Sequence, residues 1–334
     1  MSMAFFWHLG KFALTTSGVA VLALAALLAV PLKRPPPLDA IEQGALKVSQ
    51  ADRPAASTFR ARDGSELSYR LYPAKSGAAT TLAILIHGSS GSSAAMNAIG
   101  VALADNGVAA VAVDIRGHGA SGPKGDIAYI GQLDDDLADL VDHLRRTFPE
   151  ARLVLVGHSS GGGFVLRIAG EPLGKAFSKF VLLAPYLGYR APTNRPPKGD
   201  ARWTSVDIPR IIALSILQRF GITWFQSLPV IAFATDPDAA KYVTPVYSYR
   251  LLTNFGPPDD WHHAFMAAPA PVDVFVGAQD ELMKASTFVK VLASLAPHVR
   301  VTVFPGVDHM GMLYDKSVLA SVVKAVEPAA TKQP

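Results

Sequence analysis

The sequence predicts an α/β fold: a mostly parallel central sheet with helices on both faces, a cap inserted late in the chain, and an apolar helix in front. Three observations carry that expectation. Strand-like runs at 58–59, 66–71, 82–86, 108–113, 153–156, 180–183, 272–276 and 299–304 alternate, from the third onward, with helical patterns, as crossover connections between parallel strands require. Gly157-His158-Ser159-Ser160-Gly161 lies directly between the apolar run 153–156 and the helical pattern 162–168, so strand, tight turn and helix follow without a gap. Finally, 186–268 breaks the alternation with helical and Pro-rich sequence, as an inserted cap would. The expected partition is 1–34 anchor, 35–56 spacer, 57–185 core, 186–268 cap, 269–327 core again, and 328–334 tail.

In chain order the apolar helix comes first. From Phe12 to Leu32 no residue is charged, and 19–30 is unbroken apolar sequence. About 21 residues rise about 31 Å as a helix, enough for a hydrocarbon core of about 30 Å. A cleaved signal has an apolar region of only about 7 to 15 residues and ends at small ones. Pro31 with Lys33-Arg34 just beyond therefore fits an uncleaved single-pass membrane anchor better. His8 and Lys11 flank one end while Lys33 and Arg34 flank the other, so the positive charges leave the orientation open. Pro35-Pro36-Pro37 and the polar residues to 56 read as a stiff spacer.

Composition narrows the chemistry. A chain of 334 residues, 50% hydrophobic, can bury a large core. It has no cysteine, which excludes disulfides, thiolate catalysis and cysteine-ligated metal clusters. The net charge of +4 is mild and its Lys and Arg are scattered, so no basic stripe supports nucleic-acid binding. Asp134-Asp135-Asp136-Leu137-Ala138-Asp139 reads as the first turn of an amphipathic helix rather than a metal site, and Asp259-Asp260-Trp261-His262-His263 as cap surface.

The glycine-flanked turn after 153–156 is a nucleophile elbow in sequence context. Glycine on either side leaves room for a turn sharp enough to hold a serine hydroxyl above the sheet, which makes Ser159 the candidate nucleophile. A serine needs a base, and the base needs a carboxylate to set its tautomer. Ala278-Gln279-Asp280-Glu281 follows the seventh strand and Pro305-Gly306-Val307-Asp308-His309 follows the eighth. Both loops leave the carboxyl ends of strands, the edge at which open α/β sheets bind ligands. Asp280 is accordingly the expected acid and His309 the expected base, with Glu281 the rival acid. Asp273 at the start of its strand and Asp308 beside the histidine read as structural or solvated. His158, His143 and His298 carry no expected role. His87-Gly88-Ser89 after the strand 82–86 resembles the oxyanion loop of esterases and lipases, with donors expected from the N–H groups of Ser89 and Ser160.

Asp114-Ile115-Arg116-Gly117-His118-Gly119-Ala120-Ser121 resembles the D-x-R-G-H-G-x-S segment of the monoacylglycerol-lipase and lysophospholipase-like branch of the α/β-hydrolases, a likeness running from about Phe59 to about Val326. The resemblance implies an α/β-hydrolase fold, the roles above for Ser159, Asp280, His309, Ser89 and Ser160, and a loop-organising role for Asp114, Arg116 and His118. It also implies a serine hydrolase that cleaves carboxylic esters through an acyl-enzyme, with no cofactor and no metal. Ser160 replaces the methionine of the commoner elbow, which removes bulk from the pocket wall. Thirteen of the chain's 29 aromatics fall between Tyr186 and Phe265, and together with the anchor they favour a small-molecule ester of acyl-lipid type, a monoacylglycerol or lysophospholipid. A peptidase, thioesterase or acyltransferase would use the same triad. A silent binding scaffold would usually lack one of its members. Oligomeric state is not legible.

Overall fold

The computed structural model describes residues 18–19, 21–76, 79–196, 202–295 and 298–327. Its central sheet has eight strands in the order β1-β2-β4-β3-β5-β6-β10-β11. These are β1 Ser57–Arg60, β2 Glu66–Tyr72, β3 Thr81–Ile86, β4 Ala109–Val113, β5 Arg152–His158, β6 Lys179–Leu183, β10 Val272–Gly277 and β11 Val299–Phe304. β2 pairs antiparallel with β1 and β4, and every other pairing in the sheet is parallel. All eight expected strands are present.

Strand position explains strand composition. β3, β4 and β10 are buried along their whole length and are almost wholly apolar, as two-sided burial demands, the charged Asp273 near the start of β10 being ion-paired. β11 lies at the sheet edge and keeps only Val299 and Phe304 buried, which is why its sequence admits Arg300 and Thr302. Helix Ser160–Gly170 packs on β5, β6 and the later helix Trp261–Ala267, while Asn97–Asp105 packs on β4 and on the last helix, Lys316–Val326.

The region 186–268 contains the helices Ile208–Arg219, Tyr249–Asn254 and Trp261–Ala267, and strands beside them that its sequence does not announce. It contains a second, antiparallel sheet of β7 Thr204–Val206, β8 Pro229–Phe233 and β9 Val246–Ser248, in that order. Strands of three to five residues are too short to display a period in sequence. The helices beside them begin at side-chain caps: Asp207 accepts from the Arg210 N–H, Ser248 from Leu251, and Asp260 from His263.

Of the two expectations about the N-terminal region, the spacer changes and the membrane span is only partly described. No helix among the described residues is long and apolar enough to cross a membrane; the expected span 12–32 falls partly outside them, at 12–17 and 20. Residues 21–28 are helical, and the buried Arg210 guanidinium donates to the Leu28 and Val30 carbonyls, binding this segment to the cap. The supposed spacer is not free chain. Within it Asp39–Lys47 is a helix whose Ile41 and Gly44 are buried, and a Cβ on Gly44 would lie 2.5 Å from the Met310 Cβ. Ile41, Gly44 and Val48 form a stripe one helical face wide, too narrow to stand out beside the Pro-rich run. The tail 328–334 lies outside the described residues.

Candidate active site

The turn out of β5 holds Ser159 at φ 54°, a left-handed conformation that costs a non-glycine residue free energy. It is held there by its neighbours: the Ser159 N–H donates to Leu183 O, and Ser159 O accepts from Gly163 and Tyr186. The flanking glycines are sterically required. A Cβ on Gly157 would lie 2.3 Å from Gly161 O, and one on Gly161 would lie 2.3 Å from His87 O.

The three residues expected as a triad meet in one place. Ser159 Oγ is 3.0 Å from His309 Nε2, and His309 Nδ1 is 2.8 Å from Asp280 Oδ2. Asp280 Oδ1 accepts from the Leu282 and Met283 N–H groups at 2.8 and 2.7 Å, so both carboxylate oxygens have partners. Burial alone would lower the His309 pKa, but the attraction and hydrogen bond of Asp280, aided by Glu281 and Asp308, raise it above the ordinary value. Asp280 shows the reciprocal shift. Burial pushes its carboxyl up, and the His309 attraction with the two backbone donors brings it below the usual range. With Nδ1–H donated to Asp280, Nε2 is the acceptor that faces the serine hydroxyl.

The rival residues have other work. Glu281 Oε2 accepts from the His309 backbone N–H at 3.1 Å rather than from the ring. Asp273 pairs with Lys179 and Arg300 at the start of β10, and Asp308 accepts from the Gly311 N–H. The carboxylates of 134–139 are matched by arginines: Asp134 by Arg167, Asp135 and Asp139 by Arg62, and Asp136 by Arg116. No cluster of metal-ligating side chains occurs among the described residues.

The expected oxyanion donors are free. Neither the Ser89 N–H nor the Ser160 N–H meets a protein acceptor among the described residues, and both residues line the same cleft as Ser159. The loop carrying Ser89 is fastened from several sides. Trp203 Nε1 donates to Ser89 Oγ at 3.0 Å, the Ser90 N–H donates to the Tyr247 hydroxyl at 2.6 Å, and Ser90 O accepts from Thr244. Asp114 accepts from Ser93 and Ala120, and Arg116 forms a bidentate pair with Asp136 and a further pair with Asp63. His118 Nε2 lies 2.6 Å from the Tyr247 hydroxyl; burial holds its pKa well below the ordinary value, so the ring is neutral and accepts that proton.

Sequence reasoning missed three of these residues. Tyr247 and Trp203 were visible only as members of an aromatic-rich cap, and nothing in the sequence says that their polar ends reach the loop at 88–93. His158 is fully enclosed, its ring 4.8 Å from that of His309 and its Nε2 bonded to His309 O, so it packs behind the His309 ring. Burial and then the His309 charge push its pKa down to about 3.

Above the serine lies a cleft of about 1280 Å³, walled by Tyr186, Trp203, Phe233, Tyr247, Leu252 and Phe255 among others. Fold and site together define an α/β-hydrolase of the serine hydrolase class, equipped to cleave esters. A family model described as "Serine aminopeptidase, S33" matches residues 77–316, and the chain belongs to that family of α/β-hydrolases. The uncharacterized protein YfhR of Salmonella typhimurium is 30% identical over 211 residues, 56% of this chain and 71% of its own. A monoglyceride lipase from Saccharomyces cerevisiae superposes with a TM-score of 0.59 at 19% identity, covering 83% of this chain and 94% of that one. A membrane phospholipase A superposes with a TM-score of 0.54 at 15% identity, covering 98% of this chain and 100% of the other.

Proposed function

We propose that this chain is a membrane-anchored serine esterase that hydrolyses lipid-like carboxylic esters, with Ser159 as nucleophile, His309 as base, Asp280 as its orienting acid, and the N–H groups of Ser89 and Ser160 as the oxyanion hole. The observation that carries it is the continuous Ser159–His309–Asp280 hydrogen-bond chain at the floor of an aromatic-walled cleft. His309 Nε2 takes the hydroxyl proton as Ser159 Oγ bonds to the carbonyl carbon, and the carbonyl oxygen becomes an anion facing the two amides. Collapse breaks the ester C–O bond, and Nε2–H returns the proton to the departing alcohol. Water repeats the cycle on the acyl-enzyme, releasing the carboxylic acid and Ser159.

The uncharged run 12–32 supports anchoring, and the likeness to a membrane phospholipase A along nearly the whole chain agrees with it. Ser159→Ala should abolish both ester hydrolysis and fluorophosphonate labelling, since loss of a triad serine costs on the order of 10⁶ in kcat. A label localised to another serine by mass spectrometry refutes the nucleophile. For the lipid class, each methylene buried in the cleft contributes up to about 0.8 kcal/mol, or about fourfold in kcat/KM. A p-nitrophenyl ester series should therefore climb from acetyl to octanoyl, and a marked preference for acetyl refutes the lipid reading.

A further inference from the structure

Five cations line the cleft that holds Ser159: Lys33, Arg34, Arg195, Arg202 and Lys284. The carboxylates along the same wall are Asp280, closed on His309, and Glu281, which accepts from the His309 N–H. Arg195 spends its Nε on the Asp280 carbonyl at 2.9 Å. Lys33, Arg34, Arg202 and Lys284 have no ion-pair partner among the described residues.

Like charges gathered in one concavity repel one another, and low-dielectric walls focus their field into the opening. The cleft that holds Ser159 carries five cations against two carboxylates, both of which are already engaged with His309. The aromatic wall suits an acyl chain, and the cations suit an anion attached to it. Two come from the segment directly after the apolar run, Arg202 and Arg195 from the cap region, and Lys284 from the loop beyond Asp280. Their convergence from distant parts of the chain is a property of the fold.

We propose, on the basis of the esterase reading above, that Lys33, Arg34, Arg202 and Lys284 determine head-group specificity: the preferred substrate is an acyl ester whose alcohol portion carries a phosphate. Guanidinium and ammonium groups pair with phosphate oxygens through charge-assisted hydrogen bonds, and a neutral glycerol head offers none. The anion compensates the repulsion among the cations only while it is bound, so the selectivity appears in kcat/KM.

The test compares decanoyl glycerol with decanoyl glycerol phosphate, each below its micelle concentration, with fatty-acid release as the readout. Keeping both esters monomeric separates recognition in the cleft from attraction to a charged surface. At about 20 mM salt the phosphate ester should be preferred about tenfold or more, and the preference should shrink at about 0.5 M salt, where charges are screened beyond a few ångströms. Arg202→Gln, Lys284→Gln and the double variant Lys33→Gln/Arg34→Gln should each lower the preference, roughly two- to fivefold for each cation removed. Thermal unfolding of each variant checks that the fold is intact, and the salt dependence of the unaltered enzyme needs no variant. A preference that is absent at low salt, or that is insensitive to salt and to all three variants, overturns the proposal while leaving the esterase intact. Failure to cleave either ester overturns the esterase reading beneath it.

Discussion

Replacing Tyr247 by phenylalanine removes a single oxygen that two buried groups share. Tyr247, Ser90 and His118 are each no more than 2% exposed, and the hydroxyl lies 2.6 Å from both the Ser90 nitrogen and His118 Nε2. Burial raises the Tyr247 pKa, so the phenol stays protonated, accepting from Ser90 and donating to His118. The variant leaves one donor and one acceptor without a partner, at about 1–3 kcal/mol each, for a total of roughly 2–6 kcal/mol. At about 2.1 cal/mol/K per residue, a fold of this size would lose about 3–9 °C in its unfolding midpoint. Ser90 is joined to Ser89, whose N–H is an expected oxyanion donor, so the loop loses the tie that aims it. Complete loss of one such donor costs about 10²–10³ in kcat, and a loosened one should cost about tenfold or more. Turnover of p-nitrophenyl butyrate well below the variant's midpoint, alongside a calorimetric scan, measures both effects. A midpoint within a degree of the parent's would refute the hydrogen-bond reasoning. A lowered midpoint with unchanged kcat would refute the link from cap to oxyanion loop.

Asp280→Asn should lower kcat by roughly 10⁴ through the wrong imidazole tautomer, while Glu281→Gln should stay within several-fold; the reverse ranking means that the acid is misassigned. Because the base works only when neutral and Asp280 raises the His309 pKa above the ordinary 6.5, kcat/KM should fall as pH drops through a value above 6.5. Glu281→Gln removes one of the charges raising that pKa and should move this limb to lower pH, and an unmoved limb in the pH–rate profile contradicts the assignment. The buried His158, with its pKa near 3 in the fold and an ordinary 6.5 when unfolded, makes the unfolded state bind the extra proton between those values. Stability should therefore decline as pH falls from 6.5 toward 3, and less steeply in His158→Gln, as thermal melts across that range would reveal. Removing residues 1–34 should release the protein from the membrane pellet into the soluble fraction, and a truncated chain that still pellets with lipid contradicts the anchor.

The legible parts of the molecule are those where chemistry is local in sequence. The elbow glycines at 157 and 161 are demanded by backbone atoms within a few residues or on the adjacent strand end, so the motif could be read without coordinates. Asp280 and His309 were legible because each follows a recognisable strand at the same sheet edge. The cap was legible only as an interruption. Its three short strands have no period to read, and its aromatics signalled bulk but not direction. The stretch 35–56 was misread because the triplet of prolines outweighed a three-residue buried stripe in the helix after it.

By itself the sequence determined the parallel core, the order of its strands along the chain, and the three residues whose side chains meet at 3.0 and 2.8 Å. Each follows from a periodicity or a turn set by nearby residues. Only the tertiary structure decided that Asp280 rather than Glu281 faces the His309 ring, that His158 packs behind that ring, that Tyr247 ties the cap to the loop carrying Ser89, and that cations from three separate regions share one cleft. Those facts depend on where side chains far apart in the chain point once the core has packed, and no local pattern encodes a direction in space.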